Sequence, residues 1–230
     1  MRRRSDATTP VLPTLEDRWY LLETDGRPTG PLQSLVLDHL LLNDGPVYWV
    51  DAAGHARSDA LARLAPSERL LERVRVARGF TAHQHAALVE RVADLVDDGT
   101  ALLVLPAVDA MYRGDDLQGA GADAMLRTTV DRVAAIRREH DLPVVTTCRE
   151  RDDLTVPVAE HVETTLRCEA TRFGPRFVGE DFETLVYDAG GGYVQTTLAF
   201  WRRVLEARAG ARAGTAAPTA PPEVVARGSD

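Results

Sequence analysis

At 230 residues, 44% hydrophobic and with a net charge of −8, the chain is long enough to bury one full core and too acidic for tight charge-driven binding to nucleic acid. No apolar run approaches the ~20 residues a membrane helix needs, and the opening MRRRSDATTP lacks the apolar stretch of a secretory signal, so a cytoplasmic protein with no membrane contact is expected. Cys148 and Cys168 stand alone without metal-binding spacing and are expected as reduced, packed thiols. All 27 basic residues are Arg, Asp outnumbers Glu, and Ile136 is the one isoleucine. That bias fits a GC-rich genome, and an acidic, lysine-free surface points to a halophile.

Residues 1–14 are polar and Pro-containing, and from about Gly210 the chain reads GARAGTAAPTAPPEVVARGSD. Neither stretch can build a core, so both are expected as disordered tails around a single domain over residues 15–209. Residues 18–23 (RWYLLE) predict a strand, TDGRPTG a turn, and Pro31 the first position of a helix with Leu32, Leu35, Val36, His39 and Leu40 facing inward. Residues 46–51 (PVYWVD) predict the next strand, followed by a polar helix through Ala60 and Leu64. Residues 73–77 (RVRVA) alternate as a short strand, and residues 83–96 predict a helix with Leu88, Val92, Leu95 and Val96 on one face.

Residues 101–105 (ALLVL) are apolar without alternation, as in a strand buried on both faces of a parallel sheet, and the strand ends at Pro106. Open α/β folds bind ligands at the carboxyl ends of their strands, yet a proline can neither hold a metal nor move a proton. A helix over 123–139 and a strand over 143–147 (PVVTT) follow. Val162, Thr164, Leu166 and Cys168 then alternate with polar neighbours, and FETLVYDAGGGYVQTTL (182–198) predicts two strands joined by a Gly-rich turn. A last helix over 199–208 docks Phe200, Val204 and Trp201, as core or as a partner-facing patch. The expected class is α/β, with a mainly parallel sheet flanked by helices and an antiparallel C-terminal edge.

Several residues invite a chemical reading. Asp51 and Asp109 near strand ends could hold a metal, but a turn cap and a solvated polar end explain them more simply. His83 and His85 read as helix-start residues on different faces. Arg113, Arg149 and Arg151 are candidates for contact with a partner or nucleic acid, although Glu150 and Asp152 interleave the last two as in a solvated loop. Cys148 has no neighbouring base to make it a nucleophile. The TDGRPTG turn could offer Gly26 and Gly30 amides and Arg27 to an anion, with a plain strand-to-helix connection as the stronger reading.

Four strings, in order, resemble the core of the RecA/RadA recombinase superfamily, in particular archaeal RadA and RadB. VYWVDAAGHARSDAL resembles the second core strand and its turn, and VRVARGFTAHQHAALVERV the next strand and helix, with the His83-Gln84 pair. ALLVLPAVDAMYRGDD resembles the Walker B strand with Tyr112 and Arg113, and VAEHVETTLRCE the strand after the second DNA-binding loop. The resemblance spans residues 18–198 and implies a RecA-like P-loop NTPase fold.

The departures from that pattern fall on the chemistry. A P-loop needs G-x-x-x-x-G-K-[ST], because backbone amides cradle the phosphates, the lysine reaches them and the hydroxyl holds Mg²⁺. Here D-G-R-P-T-G-P-L places Asp25 at the first glycine, keeps Gly26 and Gly30, and has Pro31 for the lysine and Leu32 for the hydroxyl residue. Pro106 occupies the Walker B carboxylate position, Ala53 that of the water-orienting glutamate, and Cys148 and Arg149 an Asn-Gln pair. The first DNA loop (GDDLQGAGAD) carries Asp115, Asp116 and Asp123 with Ala120 at a loop arginine, and the second is shortened to ERDDLTVP. No FxxA-type polymerisation motif is visible.

Phosphoryl transfer depends on positioned charge, so these losses imply a pseudo-ATPase with no catalytic residue, no bound cofactor or metal, and weak or absent DNA binding. Family cores associate side to side near the nucleotide site, which implies an active RadA-type recombinase as partner and an accessory or regulatory role in recombinational DNA repair. The alternative is a pseudo-ATPase adaptor in signalling or cell division, resembling the KaiC-like or SulA-like branches. An enzyme with a repurposed pocket is a third reading.

Overall fold

Alternating apolar strands and helices assemble into one seven-stranded sheet in the computed structural model, which describes residues 12–25, 30–114, 120–171, 174–179, 183 and 197–215. The strands are β1 (Trp19–Thr24), β2 (Val47–Asp51), β3 (Val74–Arg78), β4 (Leu102–Leu105), β5 (Val144–Thr146), β6 (Thr164–Thr171) and β7 (Gly174–Val178). Their order is β3-β2-β4-β5-β1-β6-β7, parallel throughout except for the antiparallel β6–β7 edge pair. The helices are α1 (Pro31–Leu42), α2 (Ser58–Leu64), α3 (Glu68–Leu71), α4 (Ala82–Ala93), α5 (Ala120–His140), α6 (Val156–His161) and α7 (Thr197–Thr215).

Each face of the sheet carries its own core. Leu102 and Val104 pack on one side with Leu35 of α1, Leu61 of α2 and Val204 of α7. Leu103 and Leu105 pack on the other with Val89 of α4, Val130 of α5 and Val158 of α6. This two-sided burial is why β4 shows no alternation. The crossovers β1–α1–β2 and β2–α2–α3–β3 run toward the β3 edge over the first face, and those through α4, α5 and α6 run back over the second. All share one sense, as the right-handed crossover rule requires.

The structure departs from the sequence expectations in several places. Residues 31–40 of α1 are all buried rather than striped, because the sheet covers one side and α7 packs over another. The inward face of α4 is Ala82, His85, Val89 and Val92; the helix ends at Ala93, so Leu95 falls outside its projection and is 44% exposed. Leu12, placed by composition in the N-terminal tail, is buried in the first core, and α7 continues past Gly210 to Thr215.

Among the described residues the antiparallel edge is the β6–β7 pair, and Glu183, near the start of the expected 182–198 hairpin, makes an antiparallel bridge to Val178. Most of that segment lies outside the described residues, and Thr197 and Leu198 open α7. Pro175 in β7 obscures a strand in sequence, yet it is tolerated here because β7 sits at the end of the sheet order and pairs with β6 alone among the named strands. Phe177 of β7 packs against Trp201 of α7 with the rings tilted and 5.2 Å between centroids, and Trp201 is fully buried, so this aromatic belongs to the core.

One ionic contact crosses the first core: the Asp38 carboxylate of α1 meets the Arg208 guanidinium of α7. Burial pushes the Asp38 carboxyl up to about 6 although Arg208 pulls it the other way.

Candidate functional site

The chain leaves β1 and β2 toward one face and β4 and β5 toward the other. Neighbouring strands β1/β5 and β2/β4 therefore part company at their carboxyl ends, which is where open α/β sheets form a ligand crevice. A cleft of about 870 Å³ lies there, within the range of small-molecule sites. Asp25, Ala53, Cys148 and Arg149 line it, together with Ala107 and Thr147, which sequence reasoning passed over. Pro31, Leu32 and Pro106 are buried and do not line it, and Gly26 lies outside the described residues.

At the start of α1, Gly30 adopts φ +105°, a conformation glycine tolerates best, and leads into Pro31 at the first helical position. The Gly30 N–H donates to Gln33 Oε1 at 2.7 Å, and Gln33 Nε2 donates to the His55 carbonyl at 2.9 Å. Gln33 is fully buried, so a side chain of this protein fills the role an anion would take at an open helix N-terminus. Nothing local in the sequence marks Gln33, because its second partner is 22 residues away.

The two carboxylates near the strand ends are buried rather than solvated. Asp51 is fully buried; its Oδ1 accepts from the His55 and Ala56 amides at 2.8 and 2.9 Å, and its Oδ2 from Arg78 Nε at 2.7 Å. Asp109 is also fully buried; Oδ2 accepts from Arg113 Nε at 2.6 Å and Oδ1 from the Arg149 amide at 2.7 Å. Arg113 then forks onto Asp152 at 2.6 and 2.9 Å. Each carboxylate thus ties one strand-end loop to another, and such saturated acceptors are structural groups. Among the described residues no group of three His, Cys, Asp or Glu could hold a metal ion.

Backbone strain marks the same region. Ala53 and Ala107 both take left-handed φ values, +60° and +47°, and both line the cleft. The Ala107 amide is held by Thr147 Oγ1 at 2.7 Å. Burial pushes the Cys148 thiol up to about 12, which keeps it protonated at neutral pH.

The three candidate arginines separate in space and in pairing. Arg113 points inward onto Asp109 and Asp152, so it is a structural clamp. Arg151 meets Glu23 at 2.6 Å, and Arg167 reaches the same carboxylate at 3.3 Å. The Arg149 guanidinium has no ion pair among the described residues. Of the residues the resemblance would place in DNA-binding loops, Ala120 and Asp123 lie in the first turn of α5, Asp115 and Asp116 fall outside the described residues, and ERDDLTVP folds into a 3-10 turn and the start of α6.

His83 is exposed, whereas His85 is fully buried, with Nδ1 at 3.0 Å from the Tyr112 hydroxyl, itself 2.9 Å from Thr129 Oγ1. Burial lowers the His85 pKa to about 4, so the ring stays neutral in the fold and protonates readily once the chain unfolds. Stability is therefore lost as pH falls from about 6.5 toward 4, by roughly 3 kcal/mol from this residue. Asp38, raised to about 6, contributes the opposite sign over a similar range. The expected outcome is that unfolding free energies of wild type and His85→Gln differ by roughly 3 kcal/mol more in the variant's favour at pH 4 than at pH 7, measured by urea denaturation.

No helix among the described residues is long and apolar enough to cross a membrane. Comparison with protein-family models and with curated proteins gives no match for this chain.

Proposed function

We propose that this chain is a catalytically inactive relative of the RecA/RadA recombinases that acts by protein contact, as an accessory or regulator of recombinational DNA repair. The observation that carries the reading is the cleft at the strand ends. Asp25, Ala53, Cys148 and Arg149, which the resemblance aligns with nucleotide-site motifs, line it, whereas Pro31, Leu32 and Pro106 do not, and Gln33 closes the Gly30 amide. No lysine, metal-binding carboxylate or water-orienting glutamate stands at the positions where phosphoryl transfer would need them.

The strand order is compatible with the P-loop fold that the resemblance implies: in β3-β2-β4-β5-β1-β6-β7, β5 separates β1, which enters the turn before α1, from β4, which ends at Pro106. The order differs from both 3-2-1-4-5-6 and 2-1-3-4-5.

The test is co-purification of the tagged full chain from native cells at high salt, with mass spectrometry of the bound proteins. Recovery of a RadA-type recombinase or another repair factor is expected. A partner set dominated by division or signalling proteins, with normal survival of a deletion strain after DNA damage, would instead assign the adaptor role.

A further inference from the structure

The cleft differs in charge from the rest of the molecule. Four arginines line it, Arg57, Arg149, Arg151 and Arg167, against the carboxylates of Glu23, Asp25 and Glu150, in a chain whose net charge is −8. Most of these cations are matched: Arg57 pairs with Asp59 at 3.1 Å, and Arg151 and Arg167 share Glu23. Arg149 is the exception among the described residues. Its backbone N–H donates to Asp109 Oδ1 at 2.7 Å, so its side chain starts from a held position at the cleft wall.

We propose that the cleft is a binding site for a small organic anion, a carboxylate or a phosphate monoester taken up without a metal ion, with Arg149 as its principal contact. A guanidinium presents a planar fork that fits either oxyanion through two parallel hydrogen bonds. Glu23 between the Arg151 and Arg167 guanidiniums leaves that wall one charge positive, while the Asp25 and Glu150 carboxylates limit how much negative charge the site accepts. A cleft of about 870 Å³ has room for the rest of a metabolite-sized molecule over the small Ala53 and Ala107 surface. The inference rests on the reading that magnesium nucleotide no longer binds here.

The experiment is an NMR titration of the full chain, labelled at arginine side chains, with inorganic phosphate and separately with succinate, without magnesium and at constant chloride. Saturable shifts at Arg149 and its cleft neighbours are expected with one probe or both, and the responding probe identifies the oxyanion class. Arg149→Gln is expected to weaken binding roughly tenfold, the loss of one charge-assisted pair, and Arg149→Lys to recover part of it. Glu23→Gln is expected to tighten binding several-fold, since it frees two guanidiniums. Far-UV circular dichroism of each variant reports the fold. No saturable response to either probe, or affinity unaffected by Arg149→Gln in a folded variant, overturns the proposal. A parallel titration with Mg-ATP separates the two readings: tight nucleotide binding would defeat the pseudo-ATPase assignment itself.

Discussion

Replacing Asp109 by Ala is expected to lower the unfolding free energy by about 3–5 kcal/mol, the range for removing one partner of a buried ion pair. Its carboxylate is fully buried and receives the Arg113 guanidinium on one oxygen and the Arg149 amide on the other. Loss of the carboxylate leaves the Arg149 amide without its acceptor and an arginine, 17% exposed, with only its outer partners Asp152 and Glu150. The damage should be concentrated in the loop after β5, so amide exchange there should accelerate more than in β4. Equilibrium urea denaturation measures the first effect and hydrogen exchange the second. A destabilisation under about 1 kcal/mol would mean that Asp109 is an ordinary turn residue.

The second large effect concerns the Asp38–Arg208 contact that joins α1 to α7. Asp38→Leu alone should cost about 3 kcal/mol, because the Arg208 guanidinium, 18% exposed, is left against an apolar core. The double variant Asp38→Leu/Arg208→Met should fall within about 1 kcal/mol of wild type or exceed it, since both desolvation penalties disappear together. Burial already pushes the Asp38 carboxyl up to about 6, a sign that desolvation outweighs the attraction of Arg208 at this site. Denaturation of all four members of the cycle gives the coupling. A double variant as unstable as the sum of its singles would show that the two residues act independently.

Local pattern carried much of the architecture. The unbroken apolar run in β4 announced a strand buried on both faces, and Pro31 announced the start of α1. Alternation around Leu166 and Cys168 announced β6, whose pleat sends those two side chains into the first core. Where the sequence misled, the cause lay in distant packing. Helix α1 is covered on more than one side by elements far along the chain, so its apolar stripe understated its burial. Leu12 belongs to the core although the composition of residues 1–14 reads as a tail, because it docks there together with Leu15.

The cleft was legible only in part. Of the positions singled out from the sequence, Asp25, Ala53, Cys148 and Arg149 stand in it, whereas Pro31, Leu32 and Pro106 are buried elsewhere. Gln33 and the Asp109 knot went unseen, since each joins segments separated by 22 to 40 residues and only the folded chain shows their partners. Asp51 and Asp109 look like surface carboxylates in sequence because charged residues are rarely buried. Their burial follows from the backbone amides and guanidiniums that close around them.

Titration calorimetry of the full chain with Mg-ATP, at millimolar nucleotide and high salt, tests the central claim most directly. The account predicts no saturable heat, because the cleft offers neither a lysine nor a metal-binding carboxylate and the Gly30 amide is already bonded to Gln33. Binding with a micromolar dissociation constant would contradict it.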